Sequence, residues 1–218
     1  MTATGYSETT KHLLEVDRLR RGEGVFHFVD GRLSRSRLSR ASHTGGLRRI
    51  ANGVYTTDLT TEPSQLVRRN RWELIAHYIP DGVVSMRSSV YAGALTADSK
   101  IFLVSPTRRR DLRLDGLVVE VHHGPGAYRD DFSFNGVPIA SDARTLVENL
   151  RRTTSKGGTR ATLTRTELLQ HARGLIERYG SRVERLLDRA RFLSQSMGLE
   201  SELESILSRA NRSIGLYR

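Results

Sequence analysis

Between Arg32 and Thr57 the chain places six arginines, Arg32, Arg35, Arg37, Arg40, Arg48 and Arg49, and no aspartate or glutamate. Guanidinium groups present fixed forks of N–H donors that match phosphate oxygens and the edge of guanine, and serine hydroxyls suit phosphate. Such a run points to duplex DNA. Arg32, Arg35, Ser36, Arg37, Ser39, Arg40 and His43 would form a reading segment, with Arg48, Arg49, Asn52 and Tyr55 on a flanking one. A second cluster, Arg108, Arg109, Arg110 and Arg113, is offset only by Asp111 and could touch phosphate or an acidic surface.

The bias extends over the whole chain. Thirty-five basic against 24 acidic residues give a net charge of +11, and all but three of the basic residues are arginine. A GC-rich genome would favour arginine codons, yet the net charge still calls for an anionic partner, either nucleic acid, membrane or acidic protein. No apolar run approaches the roughly 20 residues that a membrane-spanning helix needs. Residues 1–10 carry Glu8 and no hydrophobic stretch, so no signal peptide is expected. Cysteine is absent, which removes disulfides and thiolate metal sites. The expected location is the cytoplasm, without membrane contact.

Catalytic constellations are sparse. Asp115, Glu120 and His122 on or beside a strand loosely parallel the carboxylates of a metal-dependent nuclease. That chemistry normally has a lysine two residues after the glutamate, where this chain has His122. His122 and His123 would point to opposite faces of a strand and so would not share one ion. No Walker A loop, GxGxxG or GxSxG motif is present. The expectation is a protein that is not an enzyme and holds neither cofactor nor metal.

The elements that must hold the basic residues can be read from local signals. KHLLEVDRLRR, residues 11–21, has the spacing of an amphipathic helix. Ser34 is a plausible N-cap for a short helix carrying Arg35 to Ala41, with Gly45-Gly46 as its stop. LRRI and GVYTT flank Asn52-Gly53, a hairpin signal. Helix, turn, helix and hairpin in this order predict a winged helix-turn-helix over residues 1–61.

Residues 62–152 read as a mixed α/β unit. PSQLVRRNRWELIAHYI predicts one helix ending at Pro80, SSVYAGAL a short helix, and KIFLVSP and GLVVEVHH strands. FSFNGVPIA carries another Asn-Gly hairpin, and SDARTLVENLRR a helix capped by Ser141 or Asp142. TTSKGGTRA, residues 153–161, reads as a linker. The rest of 153–218 forms a helical tail, in which Val183, Leu186, Leu187, Ala190, Leu193 and Met197 recur at helical spacing. The fold class expected is α+β.

GLRRIANGVYTT after a short basic helix, HYIPDGVVSMRSSVYAGAL, IFLVSP and NGVPIASDARTLVENL occur in an order that resembles the AbiEi-type antitoxins of abortive-infection toxin–antitoxin systems. The likeness covers about residues 10–152. It implies a winged helix that binds and represses the promoter of its own operon, in a phage-defence setting. A C-terminal domain would counteract a nucleotidyltransferase toxin, with or without a stable complex. DNA reading would fall on Arg35 to Arg40 and the wing on Arg48 to Tyr55. The terminal helices resemble the segment joining AbiEi-like regions to Fic-type adenylyl-transferase domains, but His171 is followed by Ala172-Arg173-Gly174 and no Fic motif is present. Two other readings stand beside the repressor: a regulatory module of a larger, Fic-like toxin or effector that binds an acidic protein, and a nuclease centred on Glu120.

Overall fold

The computed structural model of the chain describes residues 25–30, 33–151, 153 and 158–215, the last three for backbone only. The helix expected over 11–21, and Arg32, lie outside the described residues. The fold is α+β, with helices and two sheets, and the chain divides into two compact units.

The first unit contains the described residues up to Asn70 together with 114–116. β1 (Phe26–Phe28), β2 (Arg48–Ala51) and β3 (Val54–Thr56) form an antiparallel sheet in the order β1-β3-β2. Between β1 and β2 lies α1 (Arg35–His43), whose first turn is capped by the Ser34 hydroxyl accepting from Arg37 N at 3.4 Å. Gly45, at φ +77°, supplies the left-handed residue past the helix end. Leu38 and Ala41, one turn apart on α1, pack with Leu47 and Tyr55 as a small core. Fully burying a side chain such as Leu38 contributes roughly 1.5–3 kcal/mol. At the hairpin only Gly53 takes a positive φ, and the β2–β3 register shifts between Arg49 and Ala51.

The helix expected through 63–79 is two helices. α2 (Pro63–Arg69) ends at Asn70, whose side-chain amide and backbone N–H both donate to the Leu66 carbonyl at 2.9 and 3.1 Å. That carbonyl is thereby taken at a helix stop, as asparagine commonly arranges. α3 (Arg71–Tyr78) follows.

The second unit spans 71–113 and 117 onward. β4 (Val83–Val84), β5 (Lys100–Ser105), β6 (Leu112–Leu114), β7 (Leu117–His123), β8 (Phe132–Phe134) and β9 (Val137–Ile139) make a mixed sheet ordered β6-β7-β5-β4-β9-β8. β5 runs parallel to β7, antiparallel to β4, and is buried at every position after Lys100. This explains its unbroken apolar sequence, as expected of a strand covered on both faces. Asn135 and Gly136 both take positive φ, the geometry a two-residue hairpin turn requires. The short helix α4 (Met86–Val90) follows β4, and α5 (Asp142–Glu148) follows β9.

The tail belongs to this unit. α6 (Arg165–Tyr179), a 3₁₀ turn (Gly180–Arg182), α7 (Val183–Met197) and α8 (Glu200–Gly215) share one core with α5, where Ala143, Leu146 and Val147 pack with residues such as Leu175, Leu193 and Leu207. The boundary expected at residue 152 therefore does not divide two cores. The segment read as a linker is also tied down where it is described. Ala161 is buried with Met86, Phe102 and Val104, and Thr159 donates to Asp98 from its backbone and its hydroxyl at 3.0 and 2.8 Å. Glycine and polar content predicted flexibility here, but tertiary hydrogen bonds override it.

Two arginines fasten the layers. Arg144 on α5 has no side-chain exposure, and donates to Glu148 at 2.9 Å, Asp131 at 2.7 Å and the carbonyls of Gly126 and Pro125 at 2.8 Å. Burial pushes the Glu148 carboxyl up, against the pull of Arg144. Arg87 on α4 donates to both oxygens of Glu167 on α6 at 2.9 and 2.7 Å, and to the carbonyls of Arg160 and Thr162. Glu167 also closes a capping box with Thr164 at the start of α6.

Removing Arg144 leaves two buried carboxylates without their cation. Arg144→Ala should destabilise the second unit by about 3–5 kcal/mol in urea denaturation followed by circular dichroism. Arg144→Lys should recover little of this, since one ammonium cannot span four acceptors. Glu167 gives a pH prediction: hydrogen bonds from Arg87 hold its carboxyl down to about 2, from an ordinary 4.5. The stability it contributes is fully present above about pH 4.5 and lost as pH falls towards 2. Arg87→Gln should flatten that part of the stability–pH curve.

Candidate nucleic-acid interface

The basic stretch falls on α1 and the β2–β3 hairpin of the first unit. With about 3.6 residues per turn, the buried pair Leu38 and Ala41 sets the inward side of α1. Ser36, Arg40 and His43 then lie on the outward side, with Arg35 and Arg37 on opposite flanks, and all five are exposed. Ser39 is half-buried, and its carbonyl accepts from His43 Nδ1 at 2.7 Å. A carbonyl can only accept, so Nδ1 of His43 donates in this bond and Nε2 is left facing outward from the contact. Arg35 and Arg40 form no ion pair among the described residues. α1 thus presents a cationic outer surface, with nothing acidic in its first turn.

The hairpin residues divide into two groups. Arg49 and Asn52 are exposed at its tip, where Arg49 donates to the Ala51 carbonyl at 3.2 Å and to Asn52 Oδ1 at 3.5 Å. Tyr55 and Arg48, expected at the DNA surface, are placed otherwise. Tyr55 is 4% exposed in the core with Leu38 and Leu47, so its ring holds α1 onto the sheet and does not reach a partner. Arg48 directs Nη2 to the carbonyls of Asp58 and Thr61, binding the turn after β3. That turn is itself ordered by Asp58, whose Oδ1 accepts from Thr60 and Thr61. The same threonines hold the Asp58 carboxyl far below its usual range. The first acid after the basic stretch is therefore a charged turn-former. Its spacing, Asp followed by two Thr, is a legible signal for such a turn, whereas the capture of Arg48 has no local signature.

The second basic cluster lies in the second unit. Arg108 and Arg110 are exposed. Arg109 pairs with Asp81 at 3.0 Å, and Arg113 lies 3.7 Å from Asp111. Only two of the four arginines therefore remain for a further anion. Of the nuclease-like residues, Glu120 is 6% exposed on β7 with His122 Nε2 at 3.3 Å, and Asp115 is exposed between β6 and β7. Among the described residues no group of three or more His, Asp or Glu could hold a metal ion. No described helix is long and apolar enough to cross a membrane. Arg144, absent from the sequence-based site set, makes four side-chain hydrogen bonds while fully buried, and its helical position alone does not reveal this.

Compared with known protein families and with curated protein sequences, the chain matches none.

The division of the basic stretch predicts two classes of variant. Tyr55→Ala should weaken protection of α1 and β3 amides in hydrogen exchange by about 3 kcal/mol, as expected for truncating a buried aromatic. Arg35→Ala and Arg40→Ala should leave the same amides within about 0.5 kcal/mol of the parent. Unchanged protection in Tyr55→Ala would contradict its core position.

Proposed function

We propose that the chain is a DNA-binding transcriptional regulator whose first unit is a winged helix-turn-helix, with α1 as the reading helix and the β2–β3 hairpin as the wing. The observation that carries this reading is the outward side of α1, where Ser36, Arg40 and His43 lie between the flanking Arg35 and Arg37. A helix laid in the major groove offers its outer centre to base edges and its flanks to the phosphates on either wall. Arg40 is accordingly the base-reading residue, Arg35 and Arg37 are the phosphate contacts, and Arg49 and Asn52 meet the backbone beside the groove. The net charge of +11 supports the electrostatic part of binding.

The resemblance to AbiEi-type antitoxins supports the biological part of the proposal. The regulator represses its own toxin–antitoxin operon from a cytoplasmic location, and counteracts a nucleotidyltransferase toxin. Neither part calls for a cofactor or a catalytic residue.

Binding of the full chain to a labelled fragment of its own upstream region, measured by anisotropy over a salt series, tests the proposal. Arg35→Ala should lower the magnitude of the salt slope by about 1 and weaken all sequences alike. Arg40→Ala should cost about 1–3 kcal/mol on the operator and relax discrimination at one base pair. Parental affinity in both variants would exclude α1 as the reading helix.

A further inference from the structure

The second unit has a concave site of its own. The loop before β8, the start of α5 and the junction of α6 with α7 enclose a partly open cavity of about 1290 Å³. Five arginines line it: Arg129 from the loop, Arg178 at the end of α6, Arg182 in the 3₁₀ turn, and Arg185 and Arg189 on α7. The lining acids are Asp130 and Asp142, which leaves a net charge of +3 on the walls.

Both carboxylates are already engaged. Asp130 receives two bonds from Arg189 at 3.0 and 2.7 Å and one from the Ser141 hydroxyl at 3.1 Å. Asp142 accepts from the Tyr179 hydroxyl at 2.9 Å and lies 3.6 Å from Arg178. Arg129, Arg182 and Arg185 are exposed and have no carboxylate partner among the described residues. Three uncompensated like charges on one concavity repel each other, and the concave walls concentrate their field on whatever anion enters.

The walls are also held in place. The Arg189 guanidinium lies over the rings of Tyr128 and Phe192 at 5.3 and 5.4 Å, and Tyr128 in turn lies against the buried Arg144 at 4.8 Å. The free arginines therefore stand on a frame anchored to the interior. The ring of half-buried Tyr179 adds an apolar part to the lining, with the edges of Ala143 and Leu186, which are 5% and 7% exposed. A bare phosphate chain has no use for such a surface, whereas a base and sugar do.

We propose that this cavity binds a small polyphosphate, with a nucleoside triphosphate as the ligand class. Arg129, Arg182 and Arg185 take the phosphate oxygens through paired N–H donors, and the apolar wall takes the nucleoside. The cavity exceeds the usual range of about 300–1,000 Å³ for small-ligand sites, so a nucleotide enters without backbone movement. This site is independent of α1 and its proposed DNA contact.

Calorimetric titration of the full chain with ATP, tripolyphosphate and adenosine tests the assignment. ATP should bind, tripolyphosphate should bind more weakly and adenosine should not bind, with affinity falling as salt rises. Each arginine lost should cost about tenfold, the free energy of one charged hydrogen-bonded contact. Arg182→Ala with Arg185→Ala should therefore weaken ATP binding about a hundredfold while leaving operator affinity unchanged. Circular dichroism of the double variant should match the parent, because both side chains are exposed. Equal affinity for ATP and tripolyphosphate would retain the site and assign it to the phosphates alone. The proposal is overturned if ATP does not bind at about 1 mM, if the double variant binds it unchanged, or if an oligonucleotide displaces ATP and loses affinity in that variant.

Discussion

A guanidinium cannot lose its proton in a protein, so Arg144, fully buried, must be surrounded by acceptors wherever it sits. It finds Glu148 one turn along its own helix, Asp131 in the loop before β8, and two carbonyls of the 125–126 segment. Asp131 is in turn bound to the backbone N–H groups of Tyr128 and Ser141 at 2.8 and 2.9 Å. One side chain thus fixes the path of the chain from β7 to α5. The start of α5, the β8–β9 hairpin and the Tyr128 ring all take their positions from it. Such a network is costly to leave incomplete, and so it specifies one arrangement of these segments over its competitors.

The arginines of this chain do two kinds of work, separated by geometry. Arg48, Arg87, Arg109, Arg144 and Arg189 turn towards carbonyls and carboxylates and join segments distant in sequence. Arg35, Arg40, Arg108, Arg110, Arg129, Arg182 and Arg185 stay exposed and without acidic partners among the described residues. These seven exposed arginines group on three surfaces, one on α1, one after β5 and one in the cavity beside α7. Arginine suits both kinds of work because its planar fork satisfies several acceptors at once, whether they are protein carbonyls or phosphate oxygens.

Much of the local structure was legible in the residues. Ser34 as the cap of α1, Gly45 as its stop, the hairpins at Asn52-Gly53 and Asn135-Gly136, and the apolar strand KIFLVS depend on neighbours only a few positions away. The helical stripe from Val183 to Met197 was equally readable, since its period records which side is buried. The candidate site was legible in part: the exposed face of α1 followed from its basic run, but the inward turn of Tyr55 and Arg48 did not. Hydropathy gives no direction to a tyrosine that can serve a core or a surface, and an arginine's reach of several ångströms lets it choose acceptors far along the chain.

The sequence by itself determined an α+β protein, many of its described helical and strand segments, and a cationic α1 with no acid nearby. Only the tertiary structure decided that Arg144 would be buried, that the tail would join α5 in one core, and that five arginines from four elements would line one cavity. The reason is the range of the forces involved. Caps, turns and periodicity act within a few residues and leave their mark in local order. Buried ion pairs and cavities arise where segments far apart in the chain meet, and no local pattern records that meeting.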